Sequence, residues 1–525
     1  MYEAPSISLY TALTHAMRFP PVVQRLAAFF TERCSAGASI DAYLVGGVIR
    51  DTIMGRAVYD IDIVVNRDAY AVGSEIANAL GGNCVRLHYD WQIARVAVSD
   101  GSAATGIVDV ATYQGELEQE LRRRDFTINA LGLPINAAVC DEWQDCLLDP
   151  CGGLCDLRDG VVRMVSAVAL DEDLLRLLRG ARLAAQFGFT LESETSNAIK
   201  ERANRINEVA QERVRDELMR LLGTLNAYEG VRLLDEVGLL CAVLPELDDS
   251  RGVTQPKEHY WDVLNHQIET VRWVDAMFDD ENDGYESDDE NDIDPSLLSK
   301  VPRFTGMYEH FAGEVSDGFD RLAFLKLTAL LHDVAKPATR TVEDSGRIRF
   351  LGHHSEGAEM VRSMLTRLRF GKRGVEHVAG MVQHHLRPRM LAARGELPTK
   401  RALYRYYRDV GDVALDTLYL NTADYMAMRG PMIEQDDWDA HCRLIRHILH
   451  AGSVDGGITL RDSAKTLPKL VSGYDIMDKF TLEPGPRIGV LLEGVREAQA
   501  SGEVSSKEQA LELVRASLER GGNGA

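Results

Sequence analysis

Residues 43–65 read YLVGGVIRDTIMGRAVYDIDIVV, and the order of features in this stretch decides the fold. The apolar run Tyr43–Val45 predicts a strand, Gly46-Gly47 a tight turn, and the residues from about Val48 a helix. Two glycines let the backbone come close to a phosphate chain, and the N–H groups at a helix start face it. Arg50, one turn in, adds a forked cation for the same phosphates. Asp60-Ile61-Asp62 then opens a second apolar run. On a strand, alternation places both carboxylates on one face and Ile61 on the other. Two adjacent carboxylates repel, and a divalent ion relieves that. Mg²⁺ suits such a pair, with substrate phosphates completing its shell. A pair of ions can activate an attacking hydroxyl and hold leaving pyrophosphate. Asp109, in the β-like segment GIVDVAT, is the candidate third catalytic carboxylate, with a plain strand-edge acid as its alternative.

Around this nucleus the chain runs to 525 residues, long enough for several domains. It is 45% hydrophobic and 26% charged, with no run of 18 apolar residues that could span a membrane. The first residues lack the charged, apolar, small-residue order of a signal peptide. Eight cysteines without a CxxC pair suit reduced thiols and a cytoplasmic location. The net charge of −23 argues against non-specific polynucleotide binding, so an RNA partner must meet a local basic surface. Much of the acidity is local: Asp279–Asp294 holds ten acids and no Lys or Arg. Its low apolar content predicts a disordered insertion at 277–300. Five zones are expected: an N-terminal helical extension at 1–40, an α/β head at 41–160, a helical neck and body at 161–258, a His-rich helical domain at 259–430, and a helical tail at 431–525.

Two further segments extend the pattern. RRRDFTINALGL covers Arg122–Leu133, and LLDPCGGLCDLRDGVVRMV covers Leu147–Val165. With LVGGVIRD and DID, these resemble the class II tRNA nucleotidyltransferases and bacterial poly(A) polymerases, of the DNA polymerase beta-like superfamily. The resemblance runs over nearly the whole chain. It implies an α/β nucleotidyltransferase head followed by an all-α neck, body and HD domain. It also implies that Gly46, Gly47, Arg50 and Arg124 contact the nucleotide and that Asp60 and Asp62 hold Mg²⁺. Arg123, Arg124, Asp125 and Asn129 would bear on the sugar and triphosphate. Cys151 and Cys155 read as incidental thiols, since neither spacing nor partners suggest zinc.

LDEDLLRLLRGARLAAQFGF (Leu170–Phe189) predicts one amphipathic helix on which Asp173 and Arg176, i and i+3, are neighbours. They read as an ordinary ion pair or as a base-reading pair. Cytosine and adenine each present an amino donor beside a ring-nitrogen acceptor, which a carboxylate and a guanidinium match. Uracil and guanine reverse that order and would leave charged groups unpaired. In the resembling family EDxxR has this selecting role, which falls here on Asp173 and Arg176. Arg179 and Arg182 would reach toward the triphosphate, and Glu212–Glu217 (ERVRDE) would brace the helix.

Downstream, His266, His332-Asp333, His353, His385 and Asp424 follow the order of an HD phosphohydrolase domain, with His353 preferred to His354 and His385 to His384. Imidazole and carboxylate ligands suit Mg²⁺, Mn²⁺, Ni²⁺ or Co²⁺, and a bound metal would acidify an attacking water. In nucleotidyltransferases of this kind the domain implies phosphodiesterase activity on 2′,3′-cyclic phosphates, and sometimes phosphatase activity. Basic segments at Lys200–Arg205 and Lys400–Asp412 are either RNA faces or solvated helix faces. The expected function is addition of the 3′ CCA to tRNA from CTP and ATP. A poly(A) polymerase, a CC- or A-adding enzyme, and an HD hydrolase with an RNA-binding head are the rivals.

Overall fold

Valine and isoleucine dominate the runs that pair in the head, as expected for strands buried on one face. The computed structural model describes residues 19–35, 40–58, 60–88, 93–99, 105–140, 143–279, 294–392, 396–452 and 468–522. These fall into two compact units, Met1–Glu217 with Leu233–Ala242, and Leu218–Arg232 with Val243–Ala525.

In the first unit, helix α1 (Pro21–Ser35) precedes β1 (Ala42–Val45), α2 (Gly47–Ile53), β2 (Asp60–Val65), α3 (Ala69–Leu80), β3 (Gly82–His88), β4 (Ile93–Ser99), β5 (Thr105–Thr112) and β6 (Gly132–Pro134). The six strands form one sheet ordered β3-β4-β5-β2-β1-β6. β2 and β5 run parallel, and the other pairs are antiparallel. Leu44, Ile61, Ile63, Val96 and Val108 pack with Leu26 and Phe30 of α1, Ile49 of α2 and Ile76 of α3 in the main core. The opposite face is only partly covered, by a small cluster of Val45, Val64, Tyr113, Leu117 and Leu121. Asp60 and Asp62 share that face with Val64, while Ile61 is buried. The alternation expected from the sequence is what the strand adopts.

The neck departs from expectation at one point. Instead of one helix over 170–189, the chain forms α4 (Ala167–Glu172) and α5 (Leu175–Phe187), with Asp173 extended at the break (φ −148°, ψ 100°). The Asp173 side chain accepts from the Leu175 N–H, an orphan donor of the new helix start.

The second unit is helical. Its principal helices are α6 (Val263–Phe278), α7 (Arg321–Leu331), α8 (His353–Arg367), α9 (Lys372–His384), α10 (Lys400–Val410), α11 (Ala414–Arg429) and α12 (Gln435–Gly452). A terminal trio, α13 (Gly473–Phe480), α14 (Pro486–Ala500) and α15 (Lys507–Gly522), closes on its own core of Ile476, Ile488, Val495, Ala510 and Val514. The acidic insertion lies outside the described residues except at its ends, which are narrower than 277–300. Met277 and Phe278 complete α6, and Pro295–Leu298 is a helical turn capped by Asp294.

The Lys400–Asp412 stripe is not a free basic face. Arg405 bonds both carboxylate oxygens of Glu497 at 2.8 and 2.7 Å, Arg408 meets Glu493 at 2.5 Å, and Arg401 meets Glu503 at 2.5 Å. Tyr404, Tyr406 and Tyr407 are buried. The interleaved pattern seats acidic side chains of the terminal trio.

Candidate functional site

β2 and β5 pair in parallel with Asp62 directly opposite Asp109. That register gathers Asp60, Asp62 and Asp109 on one sheet face, although Asp109 is 47 residues from Asp62 in sequence. Burial pushes the Asp62 carboxyl above its usual range, and Asp109 and Asp60 add to the shift against the opposing charge of Arg124. Such a group is relieved by a cation. A cleft of about 490 Å³ opens beside it, lined by Gly47, Arg50, Asp51, Arg56, Ala57, Asp60, Asp62 and Gln186. Its size is that of a small-ligand site.

Gly46 has φ +77°, and a Cβ there would run into the Arg124 guanidinium, so glycine is required. Arg50 is held by Asp51 at 2.8 and 2.9 Å, donates to Asn129, and lies 4.6 Å over the Phe187 ring. Arg124 is different: its buried Nε has no hydrogen-bond partner among the described residues. Asp125 and Asn129 face inward. Asp125 accepts from Asn129 at 3.0 Å, Arg179 at 3.0 Å and the Phe126 N–H at 2.8 Å. Burial alone would push the carboxyl up, but Arg179 and these bonds hold it below the usual range overall. Arg123 stays exposed, 3.8 Å from Glu172.

Asp173 and Arg176 do not pair with each other. Asp173 meets Arg213 at 2.8 Å, and Arg176 donates to the Ala169 and Arg123 carbonyls at 2.8 and 3.0 Å. The intrahelical ion pair is therefore absent, and both groups are held separately at the helix start. Arg179 and Arg182 are anchored rather than loose, on Asp125 and on Glu217 at 2.5 Å respectively. Glu217 and Arg213 both belong to ERVRDE, which braces the neck as its pattern suggested.

A second constellation sits in the helical unit. His266 (α6), His332-Asp333 (end of α7), His353 (α8), His385 (end of α9) and Asp424 (α11) all converge and are all buried. His266 and His332 Nε2 approach to 3.2 Å, and His353 and His385 Nε2 to 3.3 Å. Asp333 is shared by two ligand groups, His266/His332/Asp333 and Asp333/His353/His385. Asp424 lies 3.2 Å from His266. His354 and His384 are outside the cluster.

The imidazoles are oriented from behind. His332, His353 and His385 each donate Nδ1–H to a backbone carbonyl three residues earlier, at 2.8, 2.6 and 2.7 Å. A carbonyl can only accept, so in each neutral imidazole Nε2 is the unprotonated nitrogen and faces the cluster. That is the tautomer a metal ligand needs. His332 is pushed up to about 10: burial opposes the charge, but Asp333 and Asp424 demand it. Burial holds His385 down to about 3. Neither oxygen of Asp333 has a hydrogen-bond partner among the described residues, although Lys336 Nζ approaches to 2.5 Å as an ion pair. A proton and an ammonium thus supply the positive charge that this donor set fits as metal.

Lys336, His259 and Gln255 surround this cluster without having been singled out from the sequence. Lys336 bonds Gln255 at 2.7 Å, and His259 packs edge-on to His266. Lys336, one turn after Asp333 in HDVAK, was readable from helical spacing. Gln255 and His259 needed the tertiary path. None of the eight cysteines is joined in a disulfide, and among the described residues no helix is long and apolar enough to cross a membrane.

Residues 42–163 match the family model described as "Poly A polymerase head domain", 188–251 that of "Probable RNA and SrmB- binding site of polymerase A", and 307–429 the HD domain. His266 lies outside the last of these but inside the cluster. The chain is 32% identical over 481 residues to the A-adding tRNA nucleotidyltransferase of Deinococcus radiodurans, covering 90% of this chain and 95% of that protein. It is likewise 32% identical over 486 residues to the CC-adding tRNA nucleotidyltransferase of Thermus thermophilus, covering 90% and 92%. The fold is similar to that of the Thermotoga maritima CCA-adding enzyme complexed with tRNA, with TM-score 0.58, 20% identity, and 97% and 98% of the two chains covered.

Proposed function

The chain belongs to the tRNA nucleotidyltransferase family, and from that premise we propose that it completes the 3′ CCA of tRNA from CTP and ATP, without a nucleic-acid template and with release of pyrophosphate. The observation that carries this reading is the cleft in which Asp60 and Asp62 share walls with Arg50 and Arg56. Guanidinium groups there would take the triphosphate, and Arg124, with its unpaired Nε, would join them. Asp60 and Asp62 would hold Mg²⁺, which when bound would neutralise phosphate charge and favour ionisation of the attacking hydroxyl. Asp173 would accept from the base amino group and Arg176 donate to the ring nitrogen, while Arg213 keeps the carboxylate in place.

We assign residues 41–160 to the head, 161–258 to the neck and body, 259–430 to the HD domain and 431–525 to the tail, and place the enzyme in the cytoplasm. In the HD domain His266, His332, Asp333, His353, His385 and Asp424 would hold Mg²⁺, Mn²⁺, Ni²⁺ or Co²⁺, which would supply an acidified water for hydrolysis of 2′,3′-cyclic phosphates. Lys336 would offer its ammonium to the phosphate.

A second reading is a partial repertoire, CC alone or A alone. It is favoured by the two near-full-length relatives, one named A-adding and the other CC-adding. Incubating the protein with tRNA transcripts ending before CCA, at C and at CC, with each labelled NTP in turn, decides. Labelled C then A on the appropriate ends supports full CCA addition, and a stop after CC or a response to CC ends alone supports the partial repertoire. Runs of A on any RNA would indicate a poly(A) polymerase. In the same assay Asp173→Ala should lower discrimination against UTP and GTP by about tenfold or more. Unchanged selectivity at lower rate would make Asp173 a purely structural cap.

A further inference from the structure

Arg95, Asp109 and Asp62 stand in register on three neighbouring strands, β4, β5 and β2. Arg95 is bidentate to Asp109: Nε donates to one carboxylate oxygen and Nη2 to the other, both at 2.8 Å. The third carboxylate of the head is therefore already occupied by a guanidinium. The Arg95 side chain is 42% exposed and that of Asp109 22%, so the guanidinium stands open to an incoming group.

The position of this pair is informative. The nucleotide-sized cleft is lined by Asp60 and Asp62 but by neither Asp109 nor Arg95. Seen along the sheet, the glycine turn, Arg50 and Arg124 lie on the β1 side of Asp62, and Asp109 and Arg95 on the β5 side. Nucleotidyl transfer brings two reactants to one carboxylate pair. With the triphosphate assigned to the cleft, the opposite flank is left for the RNA end whose 3′-hydroxyl attacks. Arg95 lies two strand spacings from Asp62, about 10 Å, far enough out to meet the phosphodiester preceding that hydroxyl. A guanidinium fork matches carboxylate and phosphate equally well.

We propose that Arg95 is an exchange residue for the acceptor strand: in the free enzyme it neutralises Asp109, and in the working complex it passes to the last phosphodiester of the RNA and frees Asp109 for a divalent cation. Arg95 is thus a positioning residue, and RNA binding and cation binding at Asp109 are coupled through it. This rests on the tRNA-extending reading above.

The test uses the full-length protein with Arg95→Met and Arg95→Lys, a tRNA transcript lacking its last nucleotide, and Mn²⁺ as the probe ion. For Arg95→Met the KM for RNA should rise about tenfold, with the KM for NTP unchanged within about twofold. The slope of log affinity against log salt should shrink by about 0.7, one single-strand phosphate contact. Arg95→Lys should recover part of the RNA affinity. Mn²⁺ affinity of the wild type, read by electron paramagnetic resonance, should rise when RNA is added. In Arg95→Met it should already be higher without RNA and respond little to it. An unchanged RNA KM and salt slope in Arg95→Met, or wild-type Mn²⁺ affinity indifferent to RNA, would overturn the proposal. If the wild type extends no tRNA transcript at all, the underlying functional reading has failed instead. Normal thermal unfolding of Arg95→Lys guards against misfolding as the cause.

Discussion

The two acidic centres of this chain are built in opposite ways. In the head, Asp60 is exposed, Asp62 half-buried and Asp109 held by Arg95. In the HD domain all six candidate ligand residues are buried, and three of the four imidazoles are fixed by bonds to backbone carbonyls. The first arrangement suits cations that arrive with a triphosphate and leave with pyrophosphate, because Mg²⁺ keeps phosphate and water in its shell. The second suits a resident ion, because a preformed nitrogen-rich donor set favours transition metals and costs little to organise. On the proposed assignments, one chain carries a site that the substrate completes and a site that the fold completes.

The sharpest way to break this contrast is to remove a head carboxylate. Asp62→Ala should lower nucleotide incorporation by about 10²–10³-fold or more, while tRNA affinity and any metal co-purifying with the protein stay as in the wild type. Loss of the co-purifying metal from Asp62→Ala would show that the head, not the HD domain, holds the resident ion.

A smaller effect probes the buried centre through its surroundings. His441 is stacked 4.4 Å from Tyr425, next to Asp424 in the chain, and its buried Nε2 has no hydrogen-bond partner among the described residues. Burial, helped by Arg389 and opposed by Asp424, pushes it down to about 3. Because the folded-state value is below the ordinary 6.5, the unfolded chain binds more protons between these two values. Stability is therefore complete above about pH 6.5 and falls as pH drops toward 3. By pH 5 this one group should cost about 2 kcal/mol. His441→Phe keeps a stacking ring without the titration. The loss of unfolding free energy between pH 7 and pH 5 should shrink by about that amount, as measured by urea unfolding. An identical pH dependence in wild type and variant would mean that His441 is protonated in the fold.

Much of both centres was legible in the sequence because strand alternation and helical spacing are local. Asp60 and Asp62 on one face follow from period two alone, and His332-Asp333 from adjacency. The convergence of His266 and Asp424 on that pair was readable only as an order of residue types. The failures are tertiary. The break at Asp173 gains a capping bond to Leu175 and an ion pair with Arg213, which no helical periodicity reports. For Arg405 and Arg408 the sequence left an RNA face and a solvated face both open, because their acidic partners lie some 90 residues away, on α14. Arg95 carries no motif; only the β4–β5 register shows what it touches.

The contrast between the two centres is tested most directly by the double variant His332→Ala/Asp333→Ala, with both activities measured on one preparation. The substrates are a tRNA transcript lacking its end with labelled CTP and ATP, and a 2′,3′-cyclic nucleotide with Mg²⁺, Mn²⁺, Ni²⁺ or Co²⁺ added separately. Nucleotide addition should stay within about twofold of wild type, since the Mg²⁺ clamp proposed for the head rests on Asp60 and Asp62. Metal-dependent hydrolysis should disappear, and the co-purifying metal with it. Absence of cyclic-phosphate hydrolysis by the wild type with every metal, or loss of addition in a double variant that still unfolds cooperatively, would contradict two independent centres in one chain.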